Sequence, residues 1–161
     1  MKNVFLNIGS NIGNRRLNIS KAVRAIEREF GYFELSHTVE SKPEGFMSPN
    51  VFMNVGMMIL TDLEPTELLR KIQEIEKEIS PASHRDSDGN YIDRAIDIDI
   101  IAIDENVIES EELTVPHPRM HERRFVLEPM AEIASGWVHP KLGKRPFELL
   151  LELQRKKEES D

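Results

Sequence analysis

Residues 96–103 read I-D-I-D-I-I-A-I, and this isoleucine-rich stretch predicts a β-strand. Because side chains alternate along a strand, Asp97 and Asp99 share one face and the neighbouring isoleucines share the other. Two carboxylates on one face of so apolar a strand repel each other and resist transfer out of water, and a divalent cation removes both penalties. Hard oxygen ligands suit magnesium. The same pattern also fits a half-exposed strand whose polar face is simply acidic.

The segments before this stretch complete an order of elements. Strands rich in apolar or β-branched side chains are predicted at residues 4–8, 33–40 and 52–60. One helix follows the first strand and ends at Gly31, and another begins at Pro65. The order strand, helix, strand, strand, helix, strand predicts a ferredoxin-like α+β fold with a βαββαβ core. Additional C-terminal helices are expected near residues 122–134 and 146–156.

Length and composition limit the class of protein. The chain has 161 residues, 39% of them hydrophobic, and a net charge of −8. We expect one domain over residues 1–161, with 154–161 as a frayed helix end. We expect no signal peptide, because Asn7 interrupts the first apolar run, and no membrane span. The negative charge disfavours nucleic acid or an anionic membrane as a partner. The absence of cysteine suits a cytoplasmic location, and we expect a monomer.

Charge is distributed unevenly around the two aspartates. Residues 80–125 hold 11 acidic and 5 basic side chains, so a phosphate substrate would need a cation in order to approach them. The basic residues nevertheless cluster, with Arg94 just before the strand and three arginines and two histidines within residues 117–124. Guanidinium groups pair well with phosphate oxygens. Such a set indicates phosphoryl transfer, although Arg123 and Arg124 also fit solvated helix positions.

Four motifs, spread over most of the chain, carry a family resemblance. They are G-S-N-I-G-N-R at residues 9–15, F-M-N at 52–54, D-R-A-I-D-I-D-I at 93–100 and L-T-V-P-H-P-R-M-H-E-R-R-F-V-L at 113–127. In these motifs and their order the sequence resembles the 6-hydroxymethyl-7,8-dihydropterin pyrophosphokinases of folate biosynthesis. The resemblance implies an enzyme that transfers pyrophosphate from ATP to the hydroxymethyl group of 6-hydroxymethyl-7,8-dihydropterin and releases AMP.

The resemblance also implies roles at the phosphate end of the site. Asp97 and Asp99 would bind two Mg²⁺ ions that bridge the ATP phosphates and the attacking hydroxyl, with Arg94 as a third catalytic residue. The residues implied in ATP binding are Arg94, Ile98, Leu113, Thr114, His117 and Arg123. Ile98 points away from the aspartates and could equally be a core residue. No side chain stands out as a general base.

At the pterin end, the resemblance assigns recognition to an amide and two aromatic rings. Asn54 would read the hydrogen-bonding edge of the pterin, and Phe52 and Phe125 would sandwich its flat ring. The alternative for each phenylalanine is ordinary core packing. The adjacent loop would complete the pocket through Ser41, Pro43 and Gly45.

Two further features admit a structural explanation. Residues 9–14 lack the lysine and the spacing of a Walker motif, so we interpret them as a turn that caps the first helix. Glu76 matches an acidic family position on the second helix, but a solvated helix face explains it equally well.

The chain also departs from the family pattern. It has I-S-P at residues 79–81, where the family usually has a glycine-arginine pair, and the loop that follows is unusually acidic. Arg85 could supply the missing positive charge. This departure leaves a catalytically weak pterin- or nucleotide-binding relative as an alternative. An RNA-binding module also fits the ferredoxin-like order, but the net charge of −8 disfavours it.

Overall fold

The computed structural model describes residues 1–44, 48–80 and 93–160. Its elements in chain order are β1 (Lys2–Ser10), α1 (Arg15–Phe30), β2 (Phe33–Leu35), β3 (Val39–Ser41), β4 (Phe52–Thr61), α2 (Pro65–Ile79), β5 (Asp97–Ile103), β6 (Ile108–Glu109), β7 (Thr114–Val115), a single 3₁₀ turn (Met120–Glu122), α3 (Arg124–Ile133) and α4 (Pro146–Ser160). Within these described residues no helix is both long and apolar enough to cross a membrane.

The main sheet is antiparallel and has the strand order β2-β4-β1-β5, with β3 also paired to β4. This order, with a helix after β1 and after β4, confirms the predicted ferredoxin-like core. β1 therefore lies between the two strands that carry most of the predicted site. Its Gly9 pairs with Asp97 of β5 on one side and with Asn54 of β4 on the other.

The single strand expected over residues 33–40 is in fact two short strands. Leu35 pairs with Met57 and Val39 pairs with Asn54, so four steps along one chain match three steps along β4. The extra residue is accommodated at Ser36, whose N–H donates to the Gly56 carbonyl at 2.9 Å and whose hydroxyl accepts from the Gly56 N–H at 2.8 Å. A side-chain hydrogen bond thus replaces one ladder bond, as at a β-bulge.

The C-terminal third holds the two helices that the sequence predicts and one hairpin that it does not. The hairpin pairs β6 with β7, each only two residues long. α4 continues through Ser160, beyond the point at which we expected fraying. Arg155, Lys156 and Lys157 near its end suit the negative pole of the helix dipole.

Helices cover both faces of the sheet. α1 and α2 pack on one face, where Leu6, Ile8 and Ile98 belong to a buried apolar cluster. α3 packs on the other face in a cluster that contains Phe5 and Ile101, and α4 packs against α3. Because side chains alternate along a strand, the positions on β1 and β5 that share a face with Phe5 and Ile101 point toward α3. Those positions include both aspartates.

Candidate active site

A cavity of about 230 Å³ opens on the α3 side of the sheet, where β1, β4 and β5 lie next to one another. It is lined by Asn7, Gly9, Ser41, Lys42, Glu44, Phe52, Asn54, Arg94, Asp97, Asp99, His117, Arg119, Arg123 and Phe125. The two aspartates, four of the basic residues and the two aromatic rings singled out from the sequence thus lie around one cavity. Residues far apart in sequence meet here because β1 brings β4 and β5 to its two edges.

The two aspartates lie on the cavity side of β5, as strand alternation predicts. Burial is the main reason that the pKa of Asp99 is raised well above its ordinary value, and the negative charge of Asp97 raises it further. The guanidinium groups of Arg123 and Arg94 offset part of this effect. Asp97 forms an ion pair with Arg94, in which Oδ2 lies 3.2 Å from Nη1. Asp99 thus carries an electrostatic penalty that an added positive charge would relieve.

This pair fits a magnesium ion better than a transition metal. Within the described ranges, no group of three or more histidine, cysteine or acidic side chains is placed to hold a metal ion. Magnesium commonly uses one or two protein carboxylates and completes its shell with water and substrate phosphate oxygens. Asp97 and Asp99 could supply the protein part of such a shell.

Two adjacent arginines behave differently. The side chain of Arg123 is only 16% exposed, its Nη2 lies 2.9 Å from Glu44 Oε2, and its Cζ lies 5.6 Å from the centre of the Phe125 ring. The side chain of Arg124 is 48% exposed and pairs with Glu128 along α3 at 2.7 Å. The solvated-helix explanation therefore holds for Arg124 and is wrong for Arg123.

His117 is neutral at pH 7. Burial, followed by the positive charges of Arg123 and Arg119, lowers the pKa of its imidazole to about 4. Its Nδ1 accepts from the Arg119 backbone N–H at 3.2 Å. The proton of the neutral ring is therefore on Nε2, which can donate to a phosphate oxygen.

Close packing shapes the end of the cavity at which the pterin is predicted to bind. Asn54 Nδ2 donates to Ser41 Oγ at 2.8 Å and to the Val39 carbonyl at 3.2 Å, so both amide hydrogens are used within the protein and Oδ1 is left to accept. A Cβ atom at Gly9 would lie 2.9 Å from Asn54 Oδ1 and 3.3 Å from Phe52 Cδ1. Only glycine at this position leaves room for both side chains.

The two aromatic rings share the cavity with arginines. Phe52 is 7% exposed, and Arg94 Cζ lies 5.6 Å from the centre of its ring. Phe125 is half-buried and packs beside the α3 cluster. Both rings are partly core and partly cavity wall, so the two interpretations made from the sequence are compatible at these positions.

Some residues that were predicted to bind the substrates do not line the cavity. Ile98 and Leu113 are buried in the cluster under α1 and α2, which is the face opposite the cavity. Strand alternation is the reason for Ile98, since its neighbours Asp97 and Asp99 occupy the cavity face. Thr114 lies in β7, and Pro43 is half-buried beside the cavity-lining Lys42 and Glu44. Gly45 and Arg85 lie outside the described residues.

Glu76 is not on a solvated helix face. It is half-buried, and its Oε2 accepts from the Ile98 backbone N–H at 2.8 Å. Burial is the main reason that the pKa of Glu76 is raised to about 7, and the charge of Asp97 adds to it. The solvated alternative is therefore wrong, and the last turn of α2 is attached to β5 beside the two aspartates.

The turn at residues 9–14 caps α1, as the sequence indicates: Asn14 Oδ1 accepts from the Leu17 N–H at 3.1 Å. A second function of this turn was not foreseen. Asp93 accepts from Asn11 Nδ2 and from Asn50 Nδ2, each at 2.7 Å, and Asn11 Oδ1 accepts from the Arg94 N–H at 2.7 Å. These bonds attach the segment just before β5 to the turn after β1 and to the segment before β4.

Asn7, Glu44 and Arg119 also line the cavity, and the sequence predicted no role for any of them individually. Asn7 had a usable signal, because it is a polar residue in the middle of the apolar run V-F-L-N-I. Glu44 had none, since charged residues in loops are common. Arg119 belongs to the basic cluster at residues 117–124, although no individual role was predicted for it.

Comparisons with known proteins agree with this geometry. The family model described as 7,8-dihydro-6-hydroxymethylpterin-pyrophosphokinase (HPPK) matches residues 5–135. The chain is similar to proteins named 2-amino-4-hydroxy-6-hydroxymethyldihydropteridine pyrophosphokinase. The one from Porphyromonas gingivalis is 37% identical over 139 residues, which is 85% of this chain and 93% of the relative. The one from Bacillus subtilis is 38% identical over 138 residues, which is 84% and 80%.

Solved structures show the same fold. The chain superimposes on Plasmodium falciparum HPPK-DHPS with a TM-score of 0.76 at 15% identity, covering 98% of this chain and 46% of that one. A structure of HPPK-DHPS in complex with substrates gives a TM-score of 0.72 at 13% identity, covering 98% and 44%. At such identities the likeness concerns the fold alone, and this chain spans under half the length of those two.

Proposed function

The chain belongs to the 7,8-dihydro-6-hydroxymethylpterin-pyrophosphokinase family, and we propose that it carries out the family reaction in the cavity lined by Asp97 and Asp99. It is a pyrophosphokinase of folate biosynthesis, which transfers pyrophosphate from ATP to the hydroxymethyl group of 6-hydroxymethyl-7,8-dihydropterin and releases AMP. These comparisons do not favour a merely pterin- or nucleotide-binding relative. A cytoplasmic location and a monomeric state remain predictions.

One observation supports this placement above the others. The acidic pair, the partly buried basic residues and the amide with two aromatic rings share one cavity, although they come from β4, β5 and the segments before and after β5. Phosphoryl transfer needs groups for metal and for phosphate, and recognition of a flat heterocycle needs rings and a directed amide. The cavity offers both sets side by side.

Asp97 and Asp99 would hold two Mg²⁺ ions. When bound, such ions neutralise charge on the transferred phosphates and orient the attacking hydroxyl. Support comes from the raised pKa of Asp99, which shows that burial and the neighbouring Asp97 oppose its ionised form. A cation at this place would favour ionisation of both carboxylates.

Arg94, Arg123 and His117 would bind the phosphate oxygens. Arg94 already pairs with Asp97 and can therefore link the metal end of the site to a phosphate. Arg123 pairs with Glu44, so a phosphate would replace a carboxylate as its partner. His117 would donate through Nε2 as a neutral group. None of these residues is suited to act as a general base, and the hydroxyl proton would leave to solvent or phosphate.

The pterin would lie between Phe52 and Phe125, with Asn54 Oδ1 accepting from its edge. Ser41 holds the Asn54 amide in place, and Pro43 and Gly45 belong to the loop proposed to complete the pocket. The proposed adenine contacts of Ile98, Leu113 and Thr114 stay predictions, since these residues lie away from the described cavity.

An assay of the products of ATP tests the proposal. We expect AMP to form only when ATP, 6-hydroxymethyl-7,8-dihydropterin and Mg²⁺ are all present, and EDTA to stop the reaction. Formation of ADP in place of AMP, or AMP formation that does not depend on the pterin, would contradict it. AMP formation at full rate in EDTA would contradict the metal assignment alone.

A further inference from the structure

Asn7 is a polar side chain at a buried position of the main sheet. It lies in the middle of β1 between the fully buried Leu6 and Ile8, and it is only 4% exposed. Burying a carboxamide without hydrogen-bond partners costs about 1–3 kcal/mol. A strand position of this kind is normally apolar, so the asparagine requires an explanation.

The carboxamide oxygen of Asn7 has no hydrogen-bond donor among the residues that the structure describes. The side chain nevertheless lines the candidate active site. Its cross-strand neighbours are Asp99 on β5 and Gly56 on β4. Gly56 has no side chain. A bound cation would favour the ionised form of Asp99, which can only accept, so neither neighbour can then donate to the oxygen through a side chain.

Several donors around the cavity have partners of their own, and none of the donors that the structure describes lies within hydrogen-bond distance of Asn7 Oδ1. Arg94 pairs with Asp97 and Arg123 pairs with Glu44. Both amide hydrogens of Asn54 are used by Ser41 and by the Val39 carbonyl. A ligand that enters the cavity can supply the donor that Asn7 Oδ1 lacks.

We propose that Asn7 is a further substrate-binding residue, whose Oδ1 accepts a hydrogen bond from an O–H group that the ligands bring beside Asp99. This inference rests on the proposed function. Two sources supply the same chemistry: the hydroxymethyl group of the pterin, and a water molecule that accompanies Mg²⁺ and ATP. Asn7 lies beside Asp99 and two residues from Gly9, which is where both ligands would approach.

The test replaces the amide by an apolar group of similar shape. Because Oδ1 is unpaired in the ligand-free protein, Asn7→Leu should keep or raise the melting temperature, whereas a structural asparagine would lower it. Ligand binding should weaken about tenfold, which is the effect of losing one hydrogen bond of about 1.4 kcal/mol. Asn7→Ala, which cannot obstruct the cavity, should weaken binding similarly.

Calorimetry with separate ligands identifies the donor. If it is the pterin alcohol, Asn7→Leu should weaken binding of 6-hydroxymethyl-7,8-dihydropterin in EDTA, but not binding of 6-methyl-7,8-dihydropterin, which lacks the hydroxyl. If the donor is a water that accompanies the metal, the variant should instead weaken binding of Mg²⁺ with a non-hydrolysable ATP analogue. Thr61→Val is the matched control, since Thr61 is a buried polar residue of β4 that does not line the cavity.

Unchanged affinity for all ligands in both Asn7 variants would overturn this inference, and so would a lower melting temperature of Asn7→Leu with unchanged affinity. Either result would leave the proposed function intact, provided that the wild-type chain binds the pterin and Mg-ATP. If the wild-type chain binds neither ligand, the proposed function itself fails.

Discussion

At the scale of single residues, strand alternation explains which parts of the site could be predicted. Asp97 and Asp99 are two positions apart on one strand, so local geometry alone places them on one face. Asn7 and Gly9 face them only because β1 pairs with β5, and that pairing joins residues about ninety positions apart. The sequence therefore predicts the acidic pair but not the residues beside it.

Arg123 and Arg124 form a natural comparison, because they are adjacent and chemically identical but differ in burial. We expect Arg123→Ala to lower kcat/KM for ATP about 100-fold, the usual effect of removing one charged donor from a phosphate site. Arg124→Ala should leave kcat/KM unchanged, since it removes only an exposed pair with Glu128. Steady-state kinetics of AMP formation measures both. Equal losses in the two variants would show that Arg123 has no special role.

At the scale of elements, periodicity predicted the long helices and strands, because each has a repeating apolar pattern. Periodicity did not predict the break between β2 and β3, where a side-chain hydrogen bond replaces a backbone one. Ser36 bonds to Gly56 and divides β2 from β3, and nothing in the local pattern distinguishes it from other strand serines. The β6–β7 hairpin was also missed, because two-residue strands are too short to show alternation.

The contact between α3 and the sheet depends on Gly56. A Cβ atom there would lie 2.6 Å from Pro129 Cβ and 2.7 Å from Phe5 Cζ, so the helix would have to move. We expect Gly56→Ala to lower the free energy of unfolding by about 2–3 kcal/mol, as overpacking of a core does. Urea denaturation measures it.

Gly136→Ala is the matched control for this helix contact, because no atom lies within 4 Å of the added Cβ and the residue has no positive φ. Gly136→Ala should leave the free energy of unfolding unchanged. If the two alanine variants are equally stable, α3 does not pack on the sheet as described.

At the scale of the whole molecule, burial of acidic groups should make stability depend on pH. The pKa of Glu76 rises from 4.5 to about 7 on folding. Between these values the folded protein holds a proton that the unfolded chain has lost, so the free energy of unfolding falls as the pH rises. The loss is complete above about pH 7, where both states are ionised.

Glu76→Gln should remove the part of this pH dependence that Glu76 contributes, while the part due to Asp99 stays. The free energy of unfolding of Glu76→Gln minus that of wild type should be about 1–2 kcal/mol larger at pH 8 than at pH 4.5. This value is reduced because the carboxylate is partly exposed to solvent. Denaturation curves without metal or nucleotide measure it. Glu74→Gln, at an exposed position of the same helix, should leave the pH dependence unchanged. If the free energy of unfolding of Glu76→Gln falls with pH as steeply as that of wild type, this carboxylate is not buried as described.

The central claim is that Asp99 belongs to a metal-assisted pyrophosphoryl transfer and is not simply a polar strand residue. The most direct measurement compares wild type with Asp99→Asn by mass spectrometry of the products, together with the melting temperature. We predict that product formation falls at least about 100-fold while the melting temperature is kept or raised, because asparagine replaces a carboxyl group whose ionised form is opposed by burial and by Asp97. Wild-type yields of AMP and of the pterin diphosphate from Asp99→Asn would contradict the account.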